Sequence, residues 1–284
     1  MAVDPLYLAT AVEAALAAGR IHRQYFRRSP EIQKKGRIDL VTAADLEAER
    51  MFRALVAGRF PDHAVVGEEA ALAALPEARC RWIIDPVDGT TNFAHGLAIF
   101  CVSIALEVDG RLELGVVYDP ISEELFVAER GGGARLNGAP LEVTACATLV
   151  DALLCTGFPY TVREERGKQV AVFAAFLGEA QAVRRLGSAA LDLCYVAAGR
   201  FDGFWEEHLH PWDSAAGALI VQEAGGTVTG LGGEPFDVFA GHIVASNGPI
   251  HAPMLDVIRA AVADRTRSAP GGGHQADDDQ LGSA

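Results

Sequence analysis

The run from Trp82 to Gly96, Trp-Ile-Ile-Asp-Pro-Val-Asp-Gly-Thr-Thr-Asn-Phe-Ala-His-Gly, constrains this chain more than any other stretch. It opens as a short apolar strand, Trp82-Ile83-Ile84. It closes with two carboxylates, Asp85 and Asp88, then Gly89 and two hydroxyls, Thr90 and Thr91. That order does not suit a packed core. Pro86 has no backbone N–H and is expected to stop the strand. The carboxylates then fall at a turn, close enough to share one cation, and hard oxygen ligands suit Mg²⁺. Gly89 lets the backbone come close to a ligand, and the amides at Thr90 and Thr91 can face an anion at a helix start. Cation ligands beside anion donors point to a metal-assisted phosphate site. Taken alone, Asp-x-x-Asp-Gly reads at least as well as an Asx turn closing a strand.

Such a site needs a rigid scaffold, and the composition allows one. The chain has 284 residues, 50% hydrophobic and 22% charged, which is a globular profile. That length builds one large domain or two smaller ones, each with a core. A net charge of −14 argues against nucleic acid as the main partner, and bound divalent cations would offset part of it. Cys80, Cys101, Cys146, Cys155 and Cys194 are scattered, with no Cys-x-x-Cys pair. Structural zinc and a disulfide framework are therefore not expected, and a reducing compartment fits. No basic-then-apolar leader and no apolar run of about 20 residues is present, so a cytoplasmic protein without a membrane span is expected.

Helical spacing of Leu8, Val12, Ala15, Leu16 and Gly19 gives an amphipathic helix over 6–28. Arg27, Arg28, Lys34, Lys35 and Arg37 follow as a basic, solvated cluster. Thr42-x-x-Asp45 reads as the cap of a second helix with Ala48, Phe52, Leu55 and Val56 on one side. Ala64-Val65-Val66 is a strand leading to Glu68 and Glu69, of which one can enter a site while the other faces solvent. Residues 70–79 read as a mobile surface segment. From Phe100 onward, Asp109-Gly110, Asp119-Pro120, Gly131-Gly132-Gly133 and Asn137-Gly138 punctuate alternating strands, which predicts an antiparallel sheet. The triple glycine is not a phosphate loop, since no Lys-Ser/Thr and no helix follows.

Near Val143 the pattern changes to alternating strands and helices. Strands are expected at 153–157, 183–186, 202–206 and 243–246. Helices are expected at 161–180, with Val170, Phe173, Ala174 and Leu177 inward, from Gly187-Ser188 to Gly199, at 213–223 and at 250–263. The division is thus an α+β half over 1–145 that carries the metal site, an α/β half over 146–265 on the substrate side, and a disordered tail over 266–284. In that tail His274 and Asp277 to Asp279 read as solvated residues, not a metal cluster.

A second distinctive run is Trp212-Asp213-Ser214-Ala215-Ala216-Gly217, continuing to Glu223-Ala224-Gly225-Gly226. Together with Trp82 to Gly96, in this order and at this distance, it resembles the signatures of the inositol monophosphatase family over roughly residues 5 to 262. The resemblance implies a layered αβαβα sandwich and a Mg²⁺-dependent, lithium-sensitive phosphatase. It assigns one ion to Glu68, Asp85 and the Val87 carbonyl, and a second to Asp85, Asp88 and Asp213, with a weaker third near Glu68. Thr90, polarised by Asp45, and Glu68 would position the attacking water, with Lys34 nearby. Gly89 and Thr90 amides would hold phosphate oxygens. Gly187, Ser188, Ala189 and Glu206 would meet the alcohol. By itself Asp213 is as readily a helix cap as a ligand. His208 and His210 read as loop residues lining the substrate side, and His95 receives no chemistry.

The expected substrate is a small phosphorylated polyol, most simply inositol monophosphate. Histidinol phosphate, 3′-phosphoadenosine 5′-phosphate and fructose 1,6-bisphosphate are alternatives. The resemblance also implies direct, in-line attack by water without a phosphoenzyme, and a homodimer. It leaves a non-enzymatic alternative, a regulatory protein that binds the transcription machinery.

Overall fold

The computed structural model describes residues 4–28, 32–34, 40–69, 78–159 and 166–268. The chain runs through α1 (Pro5–Tyr25), β1 (Ile32–Lys34), β2 (Leu40–Thr42), α2 (Ala43–Arg59), β3 (Ala64–Gly67), β4 (Cys80–Asp88) and α3 (Thr90–Ala94). A meander follows: β5 (Cys101–Val108), β6 (Arg111–Asp119), β7 (Glu124–Glu129), β8 (Gly133–Leu136) and β9 (Ala139–Pro140). Then come β10 (Leu153–Thr156), α4 (Arg166–Glu179), β11 (Ala182–Arg184), α5 (Ala189–Ala197) and β12 (Gly203–Glu207). The chain continues with α6 (Pro211–Glu223), β13 (Thr227–Thr229), β14 (His242–Ser246) and α7 (His251–Ser268).

Two large sheets result. The seven-stranded sheet has order β3-β4-β5-β6-β7-β8-β9 and is antiparallel except where β3 pairs parallel with β4. The five-stranded sheet has order β11-β10-β12-β14-β13 and is mixed. Strand side chains alternate between faces, so neighbours in sequence enter different cores. Trp82 and Ile84 pack with α1 and α2, while Ile83 packs with α5 and α6. Phe204 and Ala245 join that same middle core, while Trp205 and Val244 turn to a third core with Phe176 of α4 and Met254 of α7. The layers are therefore helices, sheet, helices, sheet, helices, the expected αβαβα sandwich.

The middle helices position the site. Gly115 on β6 sits against the backbone of α6, and a Cβ there would lie 2.7 Å from the Ala216 carbonyl oxygen. The missing side chain lets α6, which begins just before Asp213, lie directly on the sheet.

Several expectations need correction. Pro86 does not stop β4. The strand runs on to Asp88 because its register shifts between Asp85 and Asp88, a bulge opposite β5. The parallel partner β3 already ends at the Ile84↔Gly67 pair, so the missing N–H of Pro86 costs no ladder bond there. On α1 the inner face is Ala11, Ala14, Ala15, Ala18 and Ile21, while Leu16 is exposed. On α4 the inner residues are Gln169, Val172 and Phe176; Val170 and Leu177 are 50% and 57% exposed. Helix α7 extends to Ser268, beyond the expected end of the ordered chain. Residues 70–77, Lys35, Arg37 and residues 269–284, on which other expectations fell, lie outside the described residues. All five cysteines are free, and no described helix is long and apolar enough to cross a membrane.

Gly115→Ala should destabilise the fold by about 1–3 kcal/mol, the usual cost of forcing extra volume into a tight contact. A denaturant titration would show it as a lowered midpoint; an unchanged midpoint would mean that α6 is not held by this close approach.

Candidate active site

The C-terminal end of β4, the residues after β3, and the starts of α3, α5 and α6 surround one cavity of about 550 Å³. Glu68 enters from the end of β3, and Asp85, Val87 and Asp88 from the bulged end of β4. Gly89 and Thr90 enter from the start of α3, where Gly89 has φ +97°, a left-handed conformation that glycine adopts without strain. Gly187, Ser188 and Ala189 come from the start of α5, Glu206 from the end of β12, and Asp213 from the first turn of α6. Remote parts of the sequence thus bring every cavity-side candidate to one place. Asp45 stands behind Thr90, and His208 and His210 line the rim. Lys34 lies in β1, paired with Leu40, and its side chain lies outside the described residues.

Each carboxylate is held by donors that fix its direction. Val87 N donates to Asp85 Oδ1 at 2.9 Å. Asp88 Oδ2 accepts from Ser188 Oγ at 2.6 Å and Ala190 N at 2.8 Å, which ties β4 to α5. His210 N donates to Asp213 Oδ2 at 2.7 Å, a capping-box bond at the start of α6. Asp213 is thus a cap and a cavity residue at once. Among the described residues, no hydrogen bond occupies Asp85 Oδ2, Asp88 Oδ1 or Asp213 Oδ1.

The second row orients these groups. Asp45 completes the capping box of α2: Thr42 N donates to its Oδ2 at 2.9 Å, and Thr42 Oγ donates to the same oxygen. Thr90 Oγ lies 2.9 Å from the Val87 carbonyl and 3.3 Å from Asp45 Oδ1. One hydroxyl proton cannot fully serve both acceptors, so the Val87 carbonyl competes with Asp45 for it. His22, buried between Phe93 and Phe100, donates from Nε2 to the Pro86 carbonyl at 2.8 Å. Burial lowers its pKa to about 4, so it acts as a neutral donor that braces the bulge.

Burial dominates the electrostatics of these acids, and crowded negative charge adds to it. Burial raises Asp85 well above the usual carboxylate range, and the charges of Glu68, Asp88 and Asp213 raise it further. Burial raises Asp213 likewise, reinforced by Asp88. Asp88 is pushed up to about 6 by burial, against the pull of its bonds from Ser188 and Ala190. Asp45 is also raised to about 6 by burial, against its bonds from Thr42. Glu206, with its carboxylate over Gly157, is pushed to about 8 by burial.

Acidic oxygens under this strain fit a hard divalent cation, which would relieve both the burial cost and the mutual repulsion. Among the described residues, no three His, Cys, Asp or Glu side chains are already closed to ligand spacing. The carboxylates are gathered around the cavity, with open oxygens on Asp85, Asp88 and Asp213, rather than drawn into a finished cage. The set is all oxygen, without cysteine or histidine, which matches Mg²⁺ better than zinc.

Two features were not legible in the motifs. Arg185 also lines the cavity. Asp192, on the buried face of α5, is 1% exposed, and neither carboxylate oxygen has a hydrogen-bond partner among the described residues. Burial, then the charge of Glu206, raises it well above the usual range. A charged residue type inside Leu191-Asp192-Leu193-Cys194 was the available signal for it. Phe158, Pro159, Leu209 and Trp212 complete the cavity wall.

A layered αβαβα scaffold with clustered carboxylates beside a glycine-opened helix defines a metal-dependent phosphoric monoester hydrolase. Residues 5–264 match the model of the inositol monophosphatase family, and the chain belongs to that family. It is 43% identical over 255 residues to the inositol-1-monophosphatase of Synechocystis sp., covering 89% of each chain. It is 42% identical over 239 residues to the Nus factor SuhB of Vibrio cholerae, covering 84% of this chain and 90% of that one. The structure of inositol monophosphatase from Anabaena (Nostoc) sp. superposes with a TM-score of 0.82 at 40% identity, over 90% of this chain and 96% of that one.

The raised acids carry a stability cost with a definite sign. Asp88 ionises less readily when folded, so its contribution is favourable in acid and is lost as pH rises from the unfolded value near 3.8 through about 6. In metal-stripped protein at about pH 8, Asp88→Asn should therefore be more stable than wild type by about 1–3 kcal/mol, with the difference closing toward about pH 4. Thermal unfolding of both proteins across that range checks this; a pH-independent difference would contradict it.

Proposed function

We propose that this chain hydrolyses a phosphate monoester in a Mg²⁺-dependent reaction, with inositol monophosphate as the favoured substrate. The observation that carries this reading is the meeting of Glu68, Asp85, Asp88 and Asp213 in one cavity beside Gly89 and Thr90. Glu68, Asp85 and the Val87 carbonyl would hold one ion, Asp85, Asp88 and Asp213 a second, and Glu68 would help to hold a third. When bound, such ions acidify the attacking water and neutralise charge on the leaving oxygen.

The chain's own groups supply the rest. The Gly89 and Thr90 amides are first-turn donors without intrahelical partners, suited to phosphate oxygens. Thr90 and Glu68 hold the water, with Glu68 as proton acceptor and Asp45 orienting the Thr90 hydroxyl. The water oxygen bonds to phosphorus as the ester P–O bond breaks, without a phosphoenzyme. Lys34 would add positive charge near the water. Glu206 would accept hydrogen bonds from substrate hydroxyls, while Gly187, Ser188 and Ala189 shape the wall that receives the alcohol. We place the functional boundary near residues 145 and 146, with the ligand set largely from the first half and the alcohol-side residues from the second.

Relatives named inositol-1-monophosphatase support inositol monophosphate, and the acidic Glu206 end suits a hydroxyl-rich alcohol. Relatives named Nus factor SuhB support a second, regulatory role beside catalysis. A cytoplasmic location fits both. A homodimer is also proposed, supported by the exposed Val170 and Leu177 on α4; sedimentation tests it.

Purified protein with Mg²⁺ should turn over inositol monophosphate faster than histidinol phosphate, 3′-phosphoadenosine 5′-phosphate or fructose 1,6-bisphosphate, and millimolar Li⁺ should inhibit it. Thr90→Val should lower kcat about 100-fold with little change in KM, as for loss of a group that acts in the transition state. No turnover of any of these esters would sink the proposal.

A further inference from the structure

Arg185 is the one lysine or arginine among the described residues that line the cavity, against five carboxylates, Glu68, Asp85, Asp88, Glu206 and Asp213. Most arginines in this fold are paired: Arg53 with Glu49, Arg59 with Glu13, Arg81 with Glu107, Arg200 with Glu124. Arg185 makes no hydrogen bond or ion pair among the described residues. Its charge still reaches Glu206 and Asp192, where it opposes the effect of burial.

Its place is set by the backbone around it. Asn92 of α3 donates from Nδ2 to the Leu186 carbonyl at 2.9 Å and to the Ile99 carbonyl at 2.8 Å, so the segment carrying Arg185 is pinned to α3. The Arg185 guanidinium folds back over Gly187: its Nη1 lies 2.5 Å from the point a Cβ on Gly187 would occupy. Any side chain at 187 would evict it, and the φ of +91° there also requires glycine. The Gly187 carbonyl in turn lies 3.3 Å from the corresponding point on Gly89. The guanidinium is therefore held on the same seam as the start of α3.

We propose that Arg185 is a substrate-contacting residue whose guanidinium binds an oxyanion of the phosphate ester from the Gly187 side of the cavity. This rests on the phosphatase reading above and names a contact within it. A planar fork of donors with no acceptor among the described residues matches phosphate oxygens in geometry and charge. The oxyanion belongs either to the scissile phosphoryl group or to a second phosphate on the alcohol, and one experiment separates these sources.

Arg185→Gln and Arg185→Lys are compared with wild type, with Mg²⁺ present, using three probes: inorganic phosphate by calorimetry, and inositol 1-phosphate and fructose 1,6-bisphosphate by turnover. If the scissile group is bound, Arg185→Gln loses about tenfold in phosphate affinity and in kcat/KM for both esters, the scale of one charge-assisted contact, and Arg185→Lys recovers part of it. If a second phosphate is bound, only the bisphosphate loses that factor. Indistinguishable titrations and rates for wild type and Arg185→Gln overturn the assignment. Phosphate binding by wild type without turnover of either ester sinks the hydrolase reading alone, and the phosphate titration still reports on Arg185. Arg185 makes no hydrogen bond or ion pair among the described residues, so both variants should melt with wild type.

Discussion

Burial of carboxylates that also repel one another is the constraint to which the rest of the molecule answers. Asp85 faces the charges of Glu68, Asp88 and Asp213, Asp213 those of Asp88 and Glu68, and Asp88 that of Glu68, in a cleft that removes much of their water. Flexible chain ends would let such groups drift apart. Here each is clamped by a donor on a rigid element: the Val87 amide in the bulge of β4, Ser188 and Ala190 at the start of α5, and the His210 amide at the start of α6. Each clamp takes one oxygen and leaves the other facing the cavity. A site built this way suits the cations proposed for it, and its buried acids cost stability when none is bound.

The layers explain how the clamps stay in place. β4 is buried on both faces, so its end cannot move without disturbing two cores at once. Trp82, fully buried, locks one face through its ring contacts with Phe52 and Phe60, and its Nε1 donates to His63 Nδ1 at 3.1 Å. Ile83 locks the other against α5 and α6. α6 lies on the sheet through Gly115, and Ser103 Oγ of β5 donates to the Trp212 carbonyl at 3.1 Å, one residue before Asp213. Sheet packing, helix capping and placement of the proposed metal ligands are thus the same set of contacts.

Much of this was readable from residue order. Period-2 alternation with Asp-Gly and Asn-Gly turns gave the meander from Cys101 to Pro140, and Thr42-x-x-Asp45 gave a capping box that the structure forms. The unread parts have physical reasons. Helix α4 carries apolar residues all round, so periodicity could not choose between the Val170–Leu177 face and the Val172–Phe176 face. Pro86 was read by its missing donor, but a bulge beyond the end of a parallel partner accommodates it. His22, Arg185 and Asp192 sit in no motif. A buried imidazole bracing a carbonyl, a guanidinium folded over a glycine and an acid inside an apolar helix depend on which segments meet in space, and spacing does not encode that.

Convergence of acidic oxygens from both halves of the chain is the claim on which everything else rests. Asp213 tests it most directly, since it joins the cavity from α6, 125 positions after Asp88. Magnesium binding to wild type and to Asp213→Asn, measured by titration calorimetry with intact folding confirmed by circular dichroism, decides the matter. Loss of one binding event, or weakening by about tenfold or more, is the expected result for removal of a direct charged ligand. Identical isotherms for the two proteins would contradict a shared cage.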